Sequence, residues 1–350
     1  MNFFKARALL LATVCAASLL TNTTAHAGQA CSDKPLSIES LRLGTNTAIN
    51  VQRALDSSKA TVAMVARVGM DLSEYNIRYT HAGLVYREKP SEPWRIAHLL
   101  NACGSAVSDL WHEGLGNFFL DDLHSYEAIL MLPPNADVEQ RLLKALTSTT
   151  AIRAVHNPAY SMVAYPFSLK YQNSNDWVLE TLAIALSTDA QITNRTQAQA
   201  WLKLAGYEPS EMRITAGKRL GARMFKANVA FDDHPNELRF ADRIQTVTVD
   251  SLVNFLEKRP AKWRRTVVAQ STQAVIQPTA APSKAAPPST KADDVREAHA
   301  FALIMMAQSC MGSYPETRPS ILQRFRQDIE KVAGKEIAIK VLDKRFEEGL

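Results

Sequence analysis

The stretch STQAVIQPTAAPSKAAPPSTK, residues 271–291, decides how much of this chain can fold as one body. Ala, Pro, Ser and Thr stand where a core would need aromatic and branched side chains, so 270–292 reads as an extended, largely disordered linker. The residues on its N-terminal side must bury their own core without help from those on its C-terminal side. The main body, residues 28–269, is about 240 residues long, at the large end of single-domain size. Within the 350 residues, 46% are apolar and 21% charged, with 13 Gly, 16 Pro and 4 Cys, which excludes a disulfide miniprotein, a collagen-like fibre and a wholly disordered chain. The formal charge is +5, and two of those charges, Lys5 and Arg7, lie at the extreme N-terminus. No basic field of the kind that binds nucleic acid remains.

Residues 1–27 have the order of a secretory signal peptide. A basic start leads into an apolar run from Ala8 to Leu20, then polar Thr21-Asn22-Thr23-Thr24, then Ala25-His26-Ala27 as a small-x-small cleavage site. A membrane anchor would need about 20 uninterrupted apolar residues, and the run stops short. Val14 precedes Cys15 where lipoprotein cleavage wants a small residue, which argues against lipidation. No later segment is long and apolar enough to span a membrane, so the expectation is an exported chain, periplasmic or extracellular, starting near Gly28. It keeps Cys31, Cys103 and Cys310, an odd set that leaves at least one thiol without a partner in the chain. A Cys31 to Cys103 bridge is open to it, and the sequence does not decide the pairing.

Beyond the linker, residues 293–350 form a short helical tail. Gly312 ends one helical stretch and Gly334 another, and Ile321, Leu322, Phe325, Ile329 and Val332 share a helical face. Acids and bases nearly balance there, so a protein partner or the main body suits these faces better than a membrane surface. A small bundle packed on itself fits equally well.

The main body mixes helices and strands, and the expected class is α+β. Helices are expected over Asn46 to Ala66, Asp137 to Leu146, Trp177 to Leu186, Gln197 to Leu204 and Ser251 to Leu256. Strands are expected over Thr80 to Arg87, Trp94 to Leu100, Ala227 to Phe231 and Ile244 to Val249, with a Gly-broken loop over His112 to Leu123.

Two segments carry chemistry. In Thr80-His81-Ala82-Gly83-Leu84-Val85-Tyr86, alternation puts His81, Gly83 and Val85 on one strand face. In Trp94-Arg95-Ile96-Ala97-His98 it puts Trp94, Ile96 and His98 together. If Gly83 pairs with His98 the two imidazoles share a face, and a one-residue slip separates them. That face could hold a base and the group that orients it. Taken alone, a strand histidine among apolar residues is more often a hydrogen-bonded structural side chain. In Tyr171-Gln172-Asn173-Ser174-Asn175-Asp176-Trp177, Asn173 and Asp176 have the spacing of a reciprocal helix cap. Ser174 then falls on the first turn, where free amides favour negative charge.

The pattern His-x-Gly-(Ile/Val/Leu)-Val-Tyr, a second His on the returning strand and a distant Asn-Cys-x-x-(Phe/Trp)-Val at a helix start belongs to circularly permuted papain-like proteins. These include permuted NlpC-type hydrolases and lecithin-retinol acyltransferase-like enzymes. This sequence resembles them at 81–86, at His98 and at 173–178. Over residues of about 30 to 268 it is also similar to a bacterial secreted family known only as domain of unknown function 2145. Leu99 to Gly104, Gly114 to Phe119 and Tyr171 to Glu180 carry that likeness. The papain-like resemblance implies a permuted papain-like main domain, His81 as general base, His98 as its polar partner and position 174 as nucleophile. It also implies helix-start amides, with Asn173 or Tyr171, as oxyanion support. Position 174 is Ser where the pattern has Cys, and a hydroxyl must lose its proton to a closely aimed base during attack.

Other candidates are weaker. Cys103 could be a thiol nucleophile, yet a buried or bridged cysteine is commoner. His112-Glu113 lacks the second His of a zinc-protease helix. Asp232-Asp233-His234 offers metal-ligand types but reads as a turn. No glycine-rich phosphate loop or paired zinc cysteines appear, so no cofactor or metal is expected. The expected functions are an envelope hydrolase or acyltransferase acting on an amide or ester, such as a peptide cross-link or lipid acyl group, or a non-catalytic envelope binding or scaffold protein of the same fold. Intact-mass measurement of protein recovered from the cell envelope should give a chain beginning at Gly28, and a mature chain still starting at Met1 would end the export reading.

Overall fold

The computed structural model describes residues 36–102 and 105–269. The signal segment, the linker, the helical tail and Cys31, Cys103 and Cys310 lie outside those residues.

Helix α1, Ile38–Ser58, starts where the Ser37 side chain accepts the Ser40 amide hydrogen. It stops at Lys59, which takes a left-handed φ of 60°. Strand β1, Val62–Val68, comes next and is buried along its whole length. After a short 3-10 turn at Ser73–Tyr75 come β2, His81–Tyr86, β3, Arg95–Asn101, and β4, Ser108–Gly114. Helix α2, Leu115–Phe119, leads to β5, Ser125–Leu132, then α3, Ala136–Leu146, α4, Thr149–Ala154, α5, Ser174–Leu186, and α6, Arg195–Leu204. A small hairpin of β6, Ser210–Arg213, and β7, Arg243–Thr246, encloses α7, Ala216–Phe225, and α8, Asn236–Phe240. Helix α9, Val249–Lys258, and β8, Arg264–Val268, complete the described chain.

The six long strands form one antiparallel sheet in the order β4-β3-β2-β1-β5-β8. Strand alternation feeds two cores. Met64, Ala66, Leu84, Leu99 and Ile129 face a layer that includes α3, α5, α6 and α9. Ala63, Val65, Val85, Ile96 and Leu130 face α1 and α2 on the other side. The class is α+β, with an antiparallel sheet covered by helices on both faces.

Several elements differ from expectation. The stretch Asn46 to Ala66 is the end of a helix and then a strand. Because β1 is buried on both faces, its apolar run has no period of two, and such a run cannot be told from helix by pattern. No glycine marks the break, since Lys59 itself takes the left-handed position. The expected loop at His112 to Leu123 is the end of β4 plus α2, whose Leu115, Phe118 and Phe119 are buried. Ala227 to Phe231 is not a strand: Asn228 C=O accepts from Met162 N–H at 2.9 Å and Ala230 N–H donates to Ser161 Oγ at 3.0 Å. The strand expected over Ile244 to Val249 is Arg243–Thr246, with Val249 already opening α9. Strands β5 and β8 and helix α7 have no counterpart in the expectation. Helices α3, α5, α6 and α9 and the β2–β3 hairpin lie where expected, with ends shifted by a few residues.

Helix α5 is the centre of the larger core. Almost every side chain on it is buried, not one stripe only, as suits a helix that is apolar nearly all round. Its buried ion pair, Glu180 with Arg195, closes at 2.8 Å and 3.0 Å, and Glu180 also accepts from Gln172 at 2.8 Å and Gln199 at 3.0 Å. Burial raises its pKa, and Arg195 and the two glutamines pull it back. Arg195→Met should cost about 3 kcal/mol, measured by urea denaturation, because it strands a buried carboxylate. Adding Glu180→Leu should recover only part of that, since Gln172 and Gln199 then lose their acceptor.

Candidate functional site

The hairpin register decides whether the two strand histidines meet. Leu84 pairs with Ala97, Val85 with Ile96 and Tyr86 with Arg95, a register that extends to Gly83 opposite His98. His81 and His98 are then diagonal neighbours on one face, a separation that long side chains bridge. Gly83 matters here because a Cβ on it would stand 2.7 Å from Ile96 Cδ1, inside the packed side chain. In the next pair, Trp111 of β4 lies opposite His98 and Glu113 opposite Ile96, so Glu113 is diagonal to His98 in turn.

Ser174 reaches this face from α5. Asn173 caps the helix: its Oδ1 accepts the Asp176 amide at 2.7 Å while Asp176 Oδ2 accepts the Asn173 amide at 2.8 Å. The cap consumes those donors and leaves the Ser174 and Asn175 amides as first-turn N–H groups that no intrahelical carbonyl can reach. Asn175 then ties the helix start to β2. Its Oδ1 accepts from Ala82 N–H at 3.0 Å and its Nδ2 donates to Thr80 C=O at 3.3 Å. The backbone is thereby gripped on both sides of His81.

The result is a continuous chain of polar contacts. His81 Nδ1 lies 3.2 Å from Ser174 Oγ, and His81 Nε2 lies 2.9 Å from His98 Nδ1. His98 Nε2 lies 3.3 Å from Glu113 Oε2, an ion-pair distance whose angle is too poor for a directed hydrogen bond. One assignment of tautomers satisfies all three contacts: Ser174 donates to His81, His81 donates through Nε2 to His98, and His98 turns its Nε2–H toward the carboxylate. Phe118 sits 5.5 Å from both imidazole centroids and covers one side of them. Burial above all, then the Arg67 cation and His98, hold His81 well below the ordinary imidazole value of 6.5. Burial also lowers His98, and Glu113 opposes that shift.

Arg67 is the buried cation beside the two imidazoles. It stands opposite His81 in the β1–β2 ladder and donates to Phe118 C=O at 2.6 Å and to Asp121 at 2.9 Å. The Tyr160 phenol is pushed up to about 12 by burial, and the nearby Ser174 hydroxyl opposes that rise.

The sequence model of a bacterial family described as "Uncharacterized protein conserved in bacteria (DUF2145)" matches residues 54–256, more than half of the chain. The chain belongs to that family. No curated protein and no solved structure matches it. The match runs from the last turns of α1 to the end of α9, and every residue of the contact chain lies inside it.

Of the residues read from the sequence, His81, His98 and Ser174 come together in this DUF2145 protein. The Asn173 side chain is committed to the cap and to Thr246 Oγ1 at 2.9 Å, with Met162 C=O and Val247 C=O beyond. Tyr171 gives its carbonyl to Arg195 at 3.3 Å, and its ring lies 5.4 Å from Lys170 Nζ. Neither side chain is turned to Ser174. Asp233 and His234 pair at 3.0 Å, with His234 Nε2 bonded to Gln245 C=O at 2.9 Å and Asp232 held by Lys170. Among the described residues no group of three or more metal-ligand side chains is arranged around a common point.

Glu113, Tyr160, Asn175 and Arg67 are the site residues that sequence reasoning missed. The strand period could have shown Glu113, since it falls on the alternating set of β4 that contains Trp111. Tyr160 lies in a loop and left no periodic signal.

The depressed His81 has a consequence for stability in the DUF2145 fold. In the unfolded chain its imidazole takes a proton near pH 6.5, and in the folded chain only at lower pH, so stability falls as pH drops through that window. His81→Gln should flatten this acid limb by up to one proton, about 1.4 kcal/mol per pH unit. Buried Asp176 and Glu180 have raised values and act with the opposite sign at lower pH. Denaturation of variant and wild type across the same pH series separates the two, and parallel curves between pH 6.5 and the carboxylate range would refute the His81 contribution.

Proposed function

We propose that this protein is an exported hydrolase or acyltransferase of permuted papain-like design, with Ser174 as nucleophile and His81 as its base. The observation that carries the reading is the contact chain from Ser174 Oγ to His81 at 3.2 Å, on to His98 at 2.9 Å and to Glu113 at 3.3 Å. A structural histidine needs one partner, whereas this imidazole has a hydroxyl on one nitrogen and an orienting acceptor on the other, the arrangement a general base requires.

In the reaction, Ser174 Oγ attacks the carbonyl carbon of an amide or ester as its proton passes to His81 Nδ1. Positive charge on His81 is eased through His98 by the Glu113 carboxylate. Oxygen charge in the tetrahedral intermediate meets the free Ser174 and Asn175 amides at the α5 N-terminus. The Tyr160 phenol, still protonated because its value is raised, stands by as a further donor. Collapse expels an amine or alcohol that takes its proton from His81. Water then releases the acyl group in a hydrolase, and an acceptor alcohol or amine does so in an acyltransferase. The substrate class is an envelope peptide amide or a lipid acyl ester, met after loss of residues 1–27, with residues 293–350 left to reach a partner.

A second reading has its own support. Ser174 is 8% exposed, so a substrate must find a narrow approach to the hydroxyl, and a binding module that kept the fold without the chemistry would look the same.

A serine-directed phosphonate probe distinguishes the two. Wild type should label on Ser174, with Ser174→Ala and His81→Ala abolishing the reaction and Glu113→Gln slowing it about tenfold or more. The labelling rate should stay flat to below the ordinary imidazole pKa of 6.5, because His81 is still neutral there. Ser174→Cys should react with thiol-directed acyl probes. If neither wild type nor Ser174→Cys labels while both remain folded, the binding-module reading takes over.

A further inference from the structure

Helix α7 has no buried residue, an unusual property for an element inside a described domain. Gly217, Leu220, Gly221 and Met224 follow the i, i+3, i+4, i+7 spacing of one helical face. Leu220 is 64% exposed, Met224 65% and the neighbouring Phe225 72%. The inner side of the helix is a different surface, where Ala222 packs against the Met212, Ile214 and Ile244 cluster and Arg219 pairs with Asp242 at 2.8 Å. At 3.6 residues per turn, Lys218 borders the exposed apolar strip on one side and Arg223 on the other, with Lys226 just past the C-terminus.

Charge says what this strip faces. From Arg213 to Lys226 the chain carries Arg213, Lys218, Arg219, Arg223 and Lys226 and no acid at all. Lys218 reaches Glu74 at 3.3 Å and Arg219 is taken by Asp242, whereas Arg223 and Lys226 have no carboxylate partner among the described residues. An apolar strip of Leu, Met and Phe between cations is the composition of helices that lie in the plane of an anionic bilayer surface.

We propose that α7 docks this protein on an anionic lipid surface, with Leu220, Met224 and Phe225 entering the acyl boundary and Arg223 and Lys226 meeting lipid phosphates. The helix is connected to the Ser174 region by backbone. Asn228, three residues after Phe225, accepts from Met162 N–H at 2.9 Å, and Met162 C=O in turn accepts from Asn173 Nδ2 at 3.4 Å. Docking would therefore hold the start of α5 near the membrane. The proposal stands on exposure and charge and does not depend on Ser174 being catalytic.

The test uses the full chain and vesicles of phosphatidylcholine alone or with about one-third phosphatidylglycerol. The N-terminal apolar run is common to every variant, so the local readout is hydrogen exchange over residues 216–226, supported by differences in vesicle co-sedimentation. Exchange there should slow on anionic vesicles and not on neutral ones. Arg223→Gln with Lys226→Gln should weaken the vesicle-dependent protection by about fivefold per cation removed, and added salt should do likewise. Leu220→Ser with Met224→Ser should remove it, and because both side chains are exposed the thermal melt should not move. Should that pair unfold the protein, Leu220→Gln alone serves as the second variant and should weaken the protection. No slowing on anionic vesicles, equal slowing on neutral ones, or protection without lipid that disappears on dilution, the mark of a second copy, each overturns the proposal.

Discussion

The grip of Asn175 on the backbone around His81 is the contact on which the rest of the site depends. Its carboxamide takes Ala82 N–H and gives to Thr80 C=O, so a helix start and a strand start are joined by the same kind of bond that joins strands. With that bond in place the Ser174 and His81 side chains cannot drift apart without a backbone group losing its partner, which costs about 1–3 kcal/mol when buried. The antiparallel register of β2 and β3 then carries the alignment to His98, and β4 carries it to Glu113.

Burial and polarity are arranged in tiers around this bond. Behind α5, Arg195 and Glu180 neutralise each other in the core and tie down the loop before Ser174, since Arg195 also donates to the Leu169 and Tyr171 carbonyls at 3.3 Å. On the opposite sheet face, Arg67 holds the Phe118 carbonyl, and the Phe118 ring covers both imidazoles. Each buried cation thus positions a backbone carbonyl near the contact chain without joining it. Burial itself disfavours a charge on either imidazole.

His81, His98 and Ser174 are legible in the sequence because each lies on a periodic element with a local signal: alternation for the histidines, a reciprocal cap for the serine. The shared face also comes from one assumed pairing, Gly83 with His98, whose register the hairpin follows. Asn175, Tyr160 and Arg67 act through partners 93, 14 and 14 positions or so away in sequence, a separation that no local pattern encodes. Strand β1 escapes sequence reading for a related reason, since burial on both faces erases the alternation by which strands are recognised. The family to which the chain belongs shares the body from 54 to 256 and says nothing yet of chemistry, so the geometry is what argues for a reaction.

Strand β4 is the outer member of the sheet order, and this gives the contact chain a direction. Ser174 at its hydroxyl end is 8% exposed, His98 is 2% exposed, and its carboxylate end on β4 is 20% exposed at Glu113. The three strands therefore lead the contacts sideways across the sheet, from the helix start to the edge strand. A change at the sheet edge thus reaches Ser174 through two imidazoles, without passing through the helix that carries the serine.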